Sequence, residues 1–507
     1  MKKNTLSLAF AATLLLALAS CDKKDITPAP NVVGTGTSPG PGGVPTGPAV
    51  TVDAPITTNT TWTAANKYLL KGYVYVRSGA TLTIEAGTII KGDKDTKGAL
   101  IIEPGAKLIA IGTAAKPIVF TSNQPKGARN YGDWGGVVLA GNAPVNTLIG
   151  TTRPIVEGGP TTLYGGTNAT DNSGTLQYVR IEFGGVAFSP NNEVNGLTLA
   201  AVGSGTTLDH IQVSYSGDDS FEWFGGTVNA KYLVAHRGFD DDFDTDHGFS
   251  GKVQFAVSLR DPLQADQSGS KVFESDNDGS GSNNAPQTSA VFSNVTAVGP
   301  ILNPAAANYS PQYTAGAHLR RNSAQSIMNS VIVGFPTGVL IDGAPTAASI
   351  ARGDARFKNN IVAGSLTGSN STAGQRQLLY VGPTGGAGSL TANSVMSADS
   401  AAWGSAVGPL TWLKANANRR YTTADNVQLL NPFSLTAPSF LPRTGSPIVT
   451  VAPATAPAAP ASFTDSKLTD SFFTPVNYIG AFGDPNAPGF TNWLASWTNF
   501  DPQNTDY

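Results

Sequence analysis

Apolar positions along this chain come in short runs, not in long amphipathic stretches. Gly79-Ala-Thr-Leu-Thr-Ile-Glu85-Ala-Gly87-Thr-Ile-Ile alternates apolar and polar residues between glycines, and 18 residues on it is answered by Ile102-Glu103-Pro104-Gly105-Ala-Lys-Leu-Ile. Such alternation is the pattern of half-buried strands, and the glycines mark tight corners. The same pattern predicts strands at Trp134–Gly141, Gln177–Gly185 and Val253–Leu259, with a Gly- and Thr-rich loop over 142–173 interrupting the series.

The strongest pattern is a repeat. Shifting Leu208–Gly251 by 22 residues lays Asp218 on Asp240, Asp219 on Asp241, Phe221 on Phe243, Glu222 on Asp244 and Gly226 on Gly248. A period in the low twenties is one coil of a parallel β-solenoid, whose coils bury their apolar faces only by stacking. Stacked strands lie about 4.8 Å apart, so residues at equal register form columns along the axis. Phe221 over Phe243 is then an inward column, while Ser220 and Glu222, with Asp242 and Asp244 below them, point outward. Asp218, Asp219, Asp240 and Asp241 follow Gly217 and Gly238 and belong to corners. The expected fold is all-β, a right-handed parallel β-helix over 51–507 with loop insertions, an irregular stretch at 365–470 and a C-terminal cap; parallel crossovers are right-handed as a rule.

Three later strands share a frame, with asparagine five residues before glycine: Asn294 and Gly299, Asn329 and Gly334, Asn359 and Gly364. That frame predicts a stacked asparagine ladder along the axis. Near the end, Tyr478–Phe482 reads as a strand. Trp493 and Trp497, four residues apart, read as one face of a short helix covering the last coil.

Composition narrows the class. The 57 glycines and only 13% charged residues suit a β-rich chain with many corners, and a net charge of -3 argues against a nucleic-acid partner. Acidity is concentrated, however: Ser214–Ser280 holds 13 acids against 5 bases. Two charges about 5 Å apart repel by roughly 3 kcal/mol at an effective dielectric of about 20. A ladder of carboxylates lying in a groove therefore needs a cation, a proton or an arginine.

The N-terminus carries Lys2 and Lys3, an apolar run from Leu6 to Ala19, and small residues before Cys21, the sole cysteine. Residues 1–20 read as a secretory signal. Leu18-Ala19-Ser20-Cys21 resembles a bacterial lipobox, which implies cleavage before Cys21 and lipid attachment to it. Residues 21–50, rich in Pro, Gly, Thr and Ser, read as a flexible tether. No other stretch approaches a membrane span, so the remainder is expected to be soluble and anchored to the membrane through lipid.

Several chemistries fit the acidic coils. Calcium takes about six to eight oxygens, and Asp242, Asp246, Asp276 and Asp278 are its candidate ligands. Asp276-Asn-Asp278-Gly279 looks like the start of a calcium loop, although Ala285 stands where an EF-hand places glutamate. Asp218, Asp219, Glu222, Asp240, Asp241 and Asp244 are candidate ligand-binding residues on the acidic face. His318, Arg320 and Arg321 join them as counter-charges or as a grip on an anionic sugar. His210 and His236 lie in strands and are expected to be packed, whereas His247 beside Asp246 is expected to be held charged. Trp223 and Phe224 are assigned to the core in preference to a sugar platform.

Two resemblances follow from these motifs. Gly217-Asp218-Asp219 resembles the Asp-Asp motif of polygalacturonases and His247-Gly248 faintly resembles their Gly-His-Gly; but Ser189-Pro-Asn-Asn-Glu-Val-Asn195 stands where Asn-Thr-Asp belongs, and no Arg-Ile-Lys follows. The chain from Cys21 onward, through TLTIEAGT, DDSFEWFGG, DDDFDTDHGFSG, HLRRN and YIGAF, resembles lipid-anchored right-handed β-helix proteins of Bacteroidota surfaces. The CDKKD start resembles their export signal. The resemblance implies the fold and a location at the outer membrane, facing the cell exterior; the acidic face is expected to hold an extracellular ligand, a polysaccharide, with calcium as its candidate cofactor. Two alternatives stay open: a polysaccharide lyase or glycoside hydrolase using the same aspartates, with Arg237, Arg320 or Arg321 as a lyase base, and a structural adhesin with no small-molecule site.

Overall fold

The computed structural model describes residues 49–147, 152–189, 192–366, 415–450 and 460–507, and the backbone of 378–381 and 394–395. The expected signal, Cys21 and most of the tether lie outside the described residues, as does much of the irregular stretch. Among those described, the strands form one sheet of 17 and one of 11, and coil-to-coil pairing is parallel. The fold is a parallel β-helix. One coil is Phe221–Phe224 in the smaller sheet, a glycine corner, and Asn229–His236 in the larger; the next is Phe243–Asp246 followed by Lys252–Leu259.

The central repeat is one coil. Phe221 pairs in register with Phe243, and Phe243 with Phe273. All three rings are fully buried, with centroids 5.7 Å apart at each step. The 18-residue echo at Glu85 and Glu103 is different. Thr81 pairs with Lys107, and the Gly79 N–H donates to the Gly105 carbonyl at 3.0 Å. The coil there is 26 residues, and the echo links two corners of one coil, at 85–88 and 103–106, which share turn chemistry although a third corner at 93–98 lies between them.

The long strands of the larger sheet each bend at one residue held at positive φ: Tyr178, His210, Tyr232, Phe255 and Asn294, continued by Asn329 and Asn359. These seven lie in one column, because their flanking residues pair in register. The left-handed region costs a non-glycine residue roughly 1–2 kcal/mol, and asparagine tolerates it best. Here the asparagine ladder is real, with Asn359 Nδ2 donating to Asn329 Oδ1 at 2.7 Å. Upstream the same column is aromatic: Tyr178 on His210 and His210 on Tyr232 stack at 4.4 Å, and Tyr232 on Phe255 at 5.3 Å. Stacking offsets the backbone cost where no amide is present.

The C-terminal residues correct two expectations. Tyr478–Phe482 is a series of bends, not a strand, and Trp493–Phe500 forms turns, not a helix. Nor does this stretch cover the last coil. Residues 460–507 run back over the bent column as a strap, from the coil of Asn359 toward the first coils. Asn359 Nδ2 donates to the Pro460 carbonyl at 2.8 Å, Asn294 Nδ2 to Tyr478 at 3.0 Å, and Gln212 Nε2 to Asn499 at 2.7 Å. Arg129 Nη1 then donates to Pro502 at 2.6 Å, and the Tyr507 hydroxyl to Glu182 at 2.6 Å. The physical reason is polar: the bent strands turn amide side chains outward, and irregular backbone satisfies them better than a helix whose carbonyls are already paired.

Candidate functional site: an acidic groove on the smaller sheet

Alternation on the smaller sheet turns every second side chain outward. The outward column is Thr198, Glu222, Asp244, Glu274 and His318, each in register with the next. At the preceding corner a second column runs Asn195, Asp219, Asp241 and Lys271. It is stitched by backbone donors: the Asp241 N–H donates to Asp219 Oδ1 at 2.7 Å, and the Lys271 N–H to Asp241 Oδ1 at 2.6 Å. The expected carboxylate ladder exists, and its outward and corner assignments hold for Glu222, Asp244, Asp218, Asp219, Asp240 and Asp241.

The groove has two electrostatically different halves. In the half toward the C-terminal coils the acids are balanced. Lys271 Nζ bridges Asp241, at 3.2 Å, and Glu274. Arg320 pairs with Glu274 and with both oxygens of Asp276, at 2.8 and 3.0 Å, and Arg321 reaches Asp276 at 2.7 Å. Burial alone raises a carboxyl, but Lys271 and Arg320 outweigh it and hold Glu274 far below its usual range. Arg320 and Arg321 thus serve as counter-charges.

The other half is not balanced. Carboxylate oxygens of Asp218, Asp219 and Asp240 lie within 4.8 Å of one another, and so do those of Asp219, Glu222 and Asp244. Among the described residues no lysine or arginine forms an ion pair with any of these five. Asp244 Oδ1 is buried and has no hydrogen-bond partner among the described residues. A sixth carboxyl, Glu157, arrives from the 142–173 insertion: Asn195 Nδ2 donates to Glu157 Oε1 at 3.2 Å and to Glu222 Oε2. Burial, reinforced by neighbouring carboxylates, holds Asp218, Asp219, Glu222 and Asp244 well above the ordinary carboxylate range.

The insertion forms the wall of this half. The Tyr164 hydroxyl is hydrogen-bonded to His247 Nδ1 at 2.8 Å, and the Gly158 N–H donates to Asn192 Oδ1 at 2.7 Å. Ile155 and Leu163, bridged to each other, and Phe188 leave exposed apolar surface on the insertion and the neighbouring hairpin.

The four expected calcium ligands do not converge. Asp242 points inward, wholly buried, against Arg260 Nη1 at 2.7 Å and Ser220 Oγ at 3.1 Å. The outward placement of Ser220 and Asp242 is therefore corrected: strand alternation begins only at Phe221 and Phe243. Asp246 accepts the His247 N–H at 2.6 Å, Asp276 holds the arginines, and Asp278 closes a turn with Ser280 and Ser282. Each three-carboxylate cluster offers calcium three groups from among Asp218, Asp219, Glu222, Asp240 and Asp244. Those residues, not the four aspartates, are where a cation fits.

The histidines are packed. His236 is buried and pushed down to about 3 by desolvation, and its Nε2 donates to the Leu435 carbonyl at 2.8 Å. His210 belongs to the aromatic column. Burial lowers His247 to about 4, so it is neutral at pH 7, contrary to the charged state expected beside Asp246. His318 sits against Asp342 at 3.2 Å. Trp223 is core, and Phe224 is buried beside Tyr164.

The model of the pectate-lyase-like β-helix domain matches residues 54–409. The chain belongs to that family. No curated protein and no solved structure matches it. The family match spans the acidic groove and its insertion, and stops short of the strap. Sequence reasoning missed Glu157, Asn195 and Tyr164 as groove residues. Only Asn195 left a signal, since it stands at the corner register one coil before Asp219.

Proposed function

We propose that the acidic groove holds an extracellular polysaccharide, on a chain carried at the outer face of the outer membrane by lipid on Cys21. The observation that carries the groove reading is the unbalanced half: six carboxyls gather there and, among the described residues, none of them forms a direct ion pair with a lysine or arginine, so a bound cation or protons must supply most of the missing charge. The exposed apolar side chains of Ile155, Leu163 and Phe188 nearby suit the C–H faces of sugar rings. Calcium is the metal form of the missing charge, seated on Asp219 with Glu222 and Asp244 or with Asp218 and Asp240.

Retention of a panel of neutral, acidic and amino polysaccharides by the purified chain tests this reading. Loss of retention in Asp219→Asn is expected; a variant that retains glycans like the native chain contradicts the groove. Lipid attachment is read separately, as acyl label that disappears with Cys21→Ser. A second reading is glycoside cleavage, which needs one protonated and one ionised carboxyl on opposite sides of the glycosidic bond; burial, which holds Glu222 well above the ordinary carboxylate range, suits it to the protonated role. New reducing ends appearing in the same panel would support it.

A further inference from the structure

The repeat places two equivalent positions side by side. In the balanced half, the corner carboxylate Asp241 and the strand carboxylate Glu274 hold the ammonium of Lys271 between them. One coil earlier, the residues in register with Asp241 and Glu274 are Asp219 and Asp244, and the residue in register with Lys271 is Asp241, an acid. The two carboxylates recur, and the ammonium they would hold does not.

Coordination number points the same way. An ammonium group has three donors and no acceptor, whereas calcium takes about six to eight oxygens. Each cluster supplies three carboxylate groups within 4.8 Å, and the clusters share Asp219. Two of these groups already accept protein N–H donors, Asp219 from the Asp241 backbone and Glu222 from Asn195, which leaves fewer oxygens for a metal. Asn195, wholly buried, also leaves its Oδ1 without a partner beside Glu222, one more acceptor for a donor that the chain itself does not supply.

We infer that the unbalanced half of the groove binds the protonated amine of an amino sugar, so that the polysaccharide it retains is cationic, an amine-bearing glycan held through Asp219, Asp244 and Glu222. The inference rests on the groove reading above and adds the sign of the ligand's charge. Removing one carboxylate from a charge-assisted contact weakens binding by about tenfold or more.

The test is calorimetric titration of the purified full chain, in near-neutral buffer, with β-1,4-linked glucosamine oligomers, their fully N-acetylated counterparts, polygalacturonate and oligolysine, each with EDTA and with calcium. The expected result is binding of the glucosamine oligomer in EDTA, at least about tenfold weaker for the acetylated oligomer and for Asp244→Asn, and weakening with salt. Circular dichroism and the denaturation midpoint of Asp244→Asn confirm that it folds. Equal binding of the amino and acetylated oligomers overturns the inference while leaving the groove reading intact. Polygalacturonate held only with calcium also overturns it, in favour of a metal. Oligolysine held with the glucosamine oligomer rejected assigns the site to a basic protein segment and overturns it; no binding by any glycan overturns the inference and the groove reading together.

Discussion

Two columns of side chains run along this β-helix, and they end differently. The bent column, Tyr178 through Asn359, stacks aromatic rings and amides: its rings cover one another, and its amides pair with each other and with the strap. The acidic column stacks charges that repel, and only its later half has cations of its own. Both come from the same coil geometry at the same spacing. A column that satisfies itself is structural, and a column that leaves like charges unmet in a groove is kept for a partner.

The largest effect is expected where a charge is buried with a single cation. Arg260→Met leaves Asp242 wholly buried and unpaired, and is expected to cost about 3–5 kcal/mol in denaturant unfolding. A loss below about 1 kcal/mol would remove Asp242 from the charges the fold depends on. Next comes pH. The carboxyls of the unbalanced half, and Asp246, pushed up to about 8 by burial and then by Asp276, have folded pKa values above their unfolded ones. Their stabilising contribution is full below about pH 4 and is lost as pH rises toward 8. Glu274, held low, acts oppositely: its contribution is present above its unfolded pKa and is lost as pH falls through its folded one. Unfolding midpoints measured from pH 5 to 8 without ligand are expected to fall for the native chain and to flatten in a variant with Asp219 and Asp244 both changed to Asn. The smallest effect is in the bent column, where Asn359→Ala removes bonds to Asn329 and Pro460 and is expected to cost about 1–2 kcal/mol, with no change in pH dependence.

The coil was legible because Phe221, Glu222 and their partners repeat with identical spacing, and spacing is what stacking requires. The asparagine frame was legible for the same reason. Its aromatic continuation was not, since Tyr178, His210, Tyr232 and Phe255 share a backbone conformation and not a residue type. Asp242 was misplaced because alternation predicts direction inside a strand and fails at the corner before it. Glu157 and Tyr164 come from an insertion outside the repeat, where no periodicity exists to read. The strap was misread as a cap because its course depends on partners hundreds of residues away, such as Gln212 with Asn499.

The central claim is that Asp219, Glu222 and Asp244 form a site the protein cannot neutralise by itself. Its most direct measurement is the unfolding free energy of Asp244→Asn against the native chain at pH 7.5 in EDTA, without glycan. Removing one of two charges about 5 Å apart relieves up to roughly 3 kcal/mol of repulsion, so the account predicts a variant more stable than the native chain, by about 1–2 kcal/mol after partial screening. A variant less stable than the native chain would mean that Asp244 is already compensated, and would contradict the account.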